Sequence, residues 1–119
     1  MLRGIRGAIE VKGNTASDIL AAAEELMRAL IEANGVNRAF VSAVFFTVTP
    51  DLNASFPAAV RNKIGWNQVP FLCSQEIPVE GALQKILRVL VLWETDHAQE
   101  EIRHQYLGSA ASLRPDLKS

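Results

Sequence analysis

Ile86-Leu87-Arg88-Val89-Leu90-Val91-Leu92-Trp93 is apolar at every position but one. A run this short, with leucine and β-branched residues on both alternating sets, reads as a strand buried on both faces rather than as half of an amphipathic helix. Arg88 is the exception, and its guanidinium must be paired, because a buried cation without a counter-charge is very costly. Three partners fit the residues alone: a protein carboxylate such as Glu76 or Asp96, an anionic ligand, or water reached from an edge position.

Around this strand the remaining elements fall into place. Leu2 to Val11 alternates loosely and ends at the turn Lys12-Gly13-Asn14, which predicts a short first strand. Thr15 is placed to cap a helix, with Asp18 three residues on. Ile19, Ala23, Leu26, Met27, Leu30 and Ile31 follow on one helical stripe, and Gly35 supplies the stop. Ala39 to Val48 is β-branched and aromatic on both alternating sets, so a second covered strand is expected there. Pro50-Asp51-Leu52-Asn53 breaks it, a short helix over Phe56–Lys63 leads to the turn at Gly65-Trp66, and Val69–Ser74 reads as another strand. Past the Arg88 strand, Asp96 is placed to cap a last helix from about Ala98 to Leu107. Four strands and two main helices predict a mixed α/β or α+β domain, with helices against a small mixed sheet, over residues 1–119. So small a sheet leaves edges and faces uncovered, which points to an oligomer.

Twelve basic and thirteen acidic residues give a formal charge of −1, so no global field draws in nucleic acid or an anionic membrane. The N-terminus Met1-Leu2-Arg3-Gly4-Ile5-Arg6 lacks the continuous apolar core of a signal peptide, and no segment has the uninterrupted apolar length needed to cross a bilayer. A lone cysteine, Cys73, suits a reducing compartment, so the sequence predicts a cytoplasmic protein. His97 and His104 have no further His or Cys in a ligand pattern and read as solvated side chains; no metal site and no cofactor are expected.

Arg6 sits between Ile5 and Gly7, and Gly4 and Gly7 thin the backbone so that a ligand can approach it; the commoner reading of such a residue is a solvated strand-end arginine. Glu76 stands at the rim of the Val69–Ser74 strand, with Cys73 close by in sequence. It is placed either to orient a hydroxyl or to neutralise Arg88. Cys73 lacks the nearby base that a nucleophile requires. Tyr106 lies four residues after Ile102 on the expected last helix, where a half-buried ring is ordinary packing.

Taken together, Arg3-Gly4-Ile5-Arg6-Gly7-Ala8, Thr49-Pro50-Asp51-Leu52, Phe56-Pro57, Val69-Pro70 with Gln75-Glu76, Arg88-Val89, Ile102-Arg103-His104 with Tyr106-Leu107, and Leu113-Arg114-Pro115-Asp116-Leu117 resemble the monofunctional chorismate mutases of the trimeric class. The segments run in the family's order along nearly the whole chain. The resemblance implies a homotrimer forming a pseudo-α/β barrel, with active sites between subunits. It implies an isomerase of aromatic amino-acid biosynthesis, a shikimate-pathway enzyme that rearranges chorismate to prephenate. By position, Arg6 matches an arginine on a substrate carboxylate and Arg88 the donor to the ether oxygen. Glu76 and Cys73 match groups around the ring hydroxyl, and Tyr106 a pocket tyrosine. Phe56, Ala58 and Arg61 match the facing wall, while Leu113 and Arg114 match a tail, residues 112–119, that folds over the site. The lysine that some members carry after the Phe56 segment has no match here, and Leu72 stands where a hydroxyl-bearing residue can occur. A reactive-intermediate deaminase and a noncatalytic trimer are the rival readings. The joint presence of Arg6, Glu76 and Arg88 separates the family from the first; in the second Arg88 pairs with Glu76 purely structurally, and an occupied, dicarboxylate-sized cleft would argue against it.

Overall fold

The computed structural model describes residues 1–112, so Leu113, Arg114 and the rest of the expected tail lie outside the described residues. One five-stranded sheet organises the chain. Its strands are β1 (Leu2–Glu10), β2 (Val41–Val48), β3 (Phe71–Gln75), β4 (Ile86–Glu94) and β5 (Gln105–Leu107), in the spatial order β3-β2-β4-β1-β5. The Arg88 strand is the middle one and runs antiparallel to β1 and β2 on either side. β3 is parallel to β2, and β5 is parallel to β1. The connections from β1 to β2 and from β2 to β3 are therefore crossovers, and each carries a helix, as parallel strands require.

The first crossover is helix α1, Ala16–Asn34. Its ends form where the sequence signals them. The Thr15 hydroxyl accepts the Asp18 N–H at 3.1 Å, and Gly35 takes the left-handed conformation at φ 68° that closes the helix. Ile19, Ala23, Leu26, Met27 and Leu30 are fully buried against Ile5, Val44, Phe46, Leu87, Val89 and Val91 of the sheet. At about 25 cal/mol per Å² of apolar surface removed from water, burying this layer stabilises the fold. The second crossover is a 3₁₀ turn over Pro57–Val60 running into the four-residue helix α2, Arg61–Ile64, which Gly65 closes at φ 73°.

The mixed fold class stands, but the second long helix does not form. Residues 98–107 make a 3₁₀ turn at Gln99–Glu101 and then β5, so Asp96 caps no helix there and Tyr106 sits on a strand. The free edge of β1 outcompetes the modest helical preference of a ten-residue segment, since three residues of parallel pairing, Gly7↔Gln105 to Ile9↔Leu107, satisfy that edge. β2 also differs from expectation. Val44, Phe46 and Val48 are buried beneath α1, whereas Phe45 on the opposite face is 36% exposed.

The face of the sheet away from α1 is where charge collects. A small apolar cluster of Ala8, Ile86, Tyr106 and Ala110 covers one end of it. Elsewhere it is open. Leu72, Phe45 and Leu90 line up there in register with Arg6, across β3, β2, β4 and β1. The adjacent row runs Ser74, Thr47, Arg88, Ala8, Tyr106.

Candidate active site

Strand pairing alone brings the expected arginines together. Arg88 faces Ala8 on β1, and Arg6, two residues earlier, is its diagonal neighbour on the same face, roughly 7–8 Å away between backbones. The Arg88 Nε lies 2.9 Å from Glu76 Oε2, and the same oxygen accepts the Thr47 hydroxyl at 2.8 Å. Glu76 reaches this position because its N–H continues the ladder beyond β3, bonding to the Val48 carbonyl at 2.9 Å. The Nε–H direction is not aligned on the carboxylate, so the contact is an ion pair rather than a directed hydrogen bond. Arg88 is thus neutralised from one side. No described residue accepts from its two terminal amino groups or from the Arg6 guanidinium.

The two arginines and Thr47 border a cleft of about 400 Å³, lined also by Phe45, Leu90 and Tyr106. Two guanidinium groups, one of them paired with a carboxylate, and two aromatic rings in a concave site are suited to an anionic ligand with an apolar part. Among the described residues no group of His, Cys, Asp and Glu could hold a metal ion.

The other expected residues lie elsewhere in the chain. Cys73 pairs with Phe46 and points toward the α1 side of the sheet, away from Glu76. Burial pushes its thiol up from the ordinary value, opposed by the Ala58 backbone N–H and the Arg61 guanidinium beside it. Phe56, 76% exposed, borders a separate hollow of about 480 Å³ with Cys73, Ser74 and Gln75. Leu72 is on the arginine face but exposed, with Phe45 between it and Leu90. The expected site residues therefore form two groups. Arg6, Arg88 and Tyr106 line the cleft and Glu76 reaches it through its contact with Arg88, while Phe56, Ala58, Arg61 and Cys73 gather at the β3 edge.

The sequence profile of chorismate mutase type I matches residues 2–117. The chain belongs to the chorismate mutase type I family. It is 48% identical over 120 residues to chorismate mutase AroH of Thermus thermophilus, covering all of this chain and 98% of that one. It is 45% identical over 118 residues to chorismate mutase AroH of Bacillus subtilis (strain 168), covering 98% and 93%. A solved chorismate mutase from Clostridium thermocellum superposes with a TM-score of 0.89 at 38% identity, covering 92% of this chain and 97% of that one.

Within this chorismate mutase fold, three features are not evident from the sequence. Thr47 holds Glu76, a role that only the register opposite Arg88 reveals. Gly7 serves the core rather than a ligand: a Cβ there would lie 3.0 Å from Leu26 Cδ1 and 3.1 Å from the Gln105 carbonyl. The histidines have specific partners. His97 packs on Trp93 with the rings tilted by 34° and shares a 2.8 Å hydrogen bond with the Thr95 hydroxyl, and His104 Nδ1 accepts the Arg6 N–H at 2.9 Å.

Proposed function

We propose that this chorismate mutase rearranges chorismate to prephenate in the Arg6–Glu76–Arg88 cleft, by selecting a folded conformer and stabilising charge, with no covalent or proton-transfer step. The observation that carries this reading is the Arg88 guanidinium, held by Glu76 through one nitrogen and presenting its two terminal donors without an acceptor among the described residues. In the Claisen rearrangement the carbon–oxygen bond breaks ahead of carbon–carbon bond formation, so negative charge grows on the ether oxygen. A fixed cation aimed at that oxygen stabilises the transition state more than the substrate, and such donors are typically worth about 3–4 kcal/mol. Arg6, the diagonal neighbour, takes a carboxylate, and holding both carboxylates of the folded substrate supplies the orientation term. Glu76 fixes Arg88 and accepts from the ring hydroxyl, while Tyr106 lines the pocket.

The remaining residues enter from a second copy of the chain. Phe56, Ala58, Arg61 and Cys73 cannot reach the cleft within one chain because they stand at the β3 edge, and Cys73 points to the other face of the sheet. The exposed row of Leu72 at 61%, Leu90 at 37% and Phe45 at 36% supports burial of this face between copies. A homotrimer closed as a pseudo-α/β barrel sets the β3-edge wall of one copy against the cleft of the next. No helix among the described residues is long and apolar enough to cross a membrane, and we assign the enzyme to the cytoplasm, without nucleic-acid or membrane partners and without a cofactor.

The test is loss of chorismate's diene absorbance with purified protein in excess chelator, with the product identified as prephenate. Conversion is the expected result. A folded oligomer that leaves chorismate unchanged would overturn the reading.

A further inference from the structure

β5 pairs with β1 only from Gly7 onward, so among the described residues the β1 edge at Gly4 and Arg6 has no strand beside it. Its backbone groups are nevertheless satisfied by two side chains. The Gln99 amide bonds both ways to Gly4, accepting its N–H at 3.2 Å and donating to its carbonyl at 2.8 Å, as a residue of a neighbouring strand would. His104 Nδ1 then accepts the Arg6 N–H at 2.9 Å. The segment that carries His104 is itself anchored to the end of α1. The Asn34 amide accepts the Arg103 N–H at 2.8 Å and donates to the Arg103 carbonyl at 3.0 Å.

We propose that Gln99 and His104 are positioning residues for the reaction, completing the β1 edge in place of a strand so that Arg6 is held at a fixed place in the cleft. An edge with open donors frays or bulges, and either movement displaces the Arg6 side chain relative to Arg88. The role assigned to His104 requires an unprotonated Nδ1, because the backbone N–H is the donor, so the ring proton sits on Nε2. This inference rests on the reading of Arg6 as a carboxylate ligand.

A mutant cycle on the intact oligomer tests it. H104A is expected to lower kcat/KM roughly tenfold to a hundredfold, the scale of a displaced binding group, while the loss in an R6A background is less than about twofold. H104N restores most of the activity, because its side-chain oxygen reaches the position of Nδ1; H104L does not. Q99A, which opens the edge at Gly4, gives the same coupling to Arg6 and serves if H104A does not fold. Equal losses with and without Arg6, or equal activity in the H104N and H104L variants, would overturn the assignment. Normal turnover by R6A alone would remove the reading of Arg6 itself, and this inference with it, a result that the Arg6-dependent arms cannot mimic.

Discussion

Replacing Arg88 with Lys separates catalysis from stability, and the structure sets both magnitudes. The Arg88 side chain is 42% exposed and its partner Glu76 16% exposed, so the ion pair lies at a half-open site where such contacts contribute about 0–1 kcal/mol. The substituted lysine would retain a charge near Glu76, and the melting temperature of a domain this size should fall by no more than about 4–8 °C per kcal/mol lost. Activity is affected differently. The ammonium cannot keep the Glu76 contact and also extend two planar donors into the cleft, since it is a point charge on a flexible stem. If those donors meet the ether oxygen, the loss is about 3 kcal/mol, or between a hundredfold and a thousandfold in kcat. Stopped-flow or steady-state chorismate consumption, with thermal denaturation and light scattering on the same samples, reads both quantities. A folded R88K oligomer with kcat within tenfold of the parent would refute the reasoning, because Arg88 would then be a structural ion pair.

Three further outcomes are expected. T47V removes the 2.8 Å hydroxyl bond to Glu76 without changing side-chain shape, and should lower kcat/KM about fivefold to tenfold with little change in melting; unchanged kinetics would show that Glu76 needs no second support. G7A forces a methyl to within 3.1 Å of the rigid Gln105 carbonyl, so chemical denaturation should show a loss of about 1–3 kcal/mol, and a neutral result would mean that β5 shifts freely. Cys73 holds its proton more tightly in the folded chain than in the unfolded one, so its contribution to stability is present below pH 9 and lost as the pH rises through the raised value. Alkylation by iodoacetamide should accordingly be slow at neutral pH; rapid labelling of the native protein at pH 7 would contradict this.

The parts of the fold legible in the sequence are those where one local signal decides. Thr15, the apolar stripe and Gly35 specify α1 without reference to anything else, and the unbroken run around Arg88 specifies the central strand. Residues 98–107 were not legible because Ile102 and Tyr106 have helical spacing while the deciding term, the open edge of β1, lies nearly a hundred residues away in sequence. The site divides the same way. A single arginine in an apolar run shows that a partner is required, but only the register identifies Glu76 and Thr47 as the groups around it. That Cys73 and Glu76, three residues apart, face opposite sides of the sheet follows from strand alternation once β3 is known to continue its ladder to Glu76.

If the Arg6–Glu76–Arg88 cleft and the Phe56–Arg61–Cys73 wall are halves of one site supplied by different chains, as proposed, hybrid oligomers test that arrangement most directly. R88A disables the cleft and R61E the wall, so each homo-oligomer should be nearly inactive. After co-refolding in equal amounts, random assembly pairs an intact cleft with an intact wall at about a quarter of the sites, and chorismate turnover should recover to about a quarter of the parent value. Mixed oligomers no more active than the two variants assayed separately would contradict the shared site.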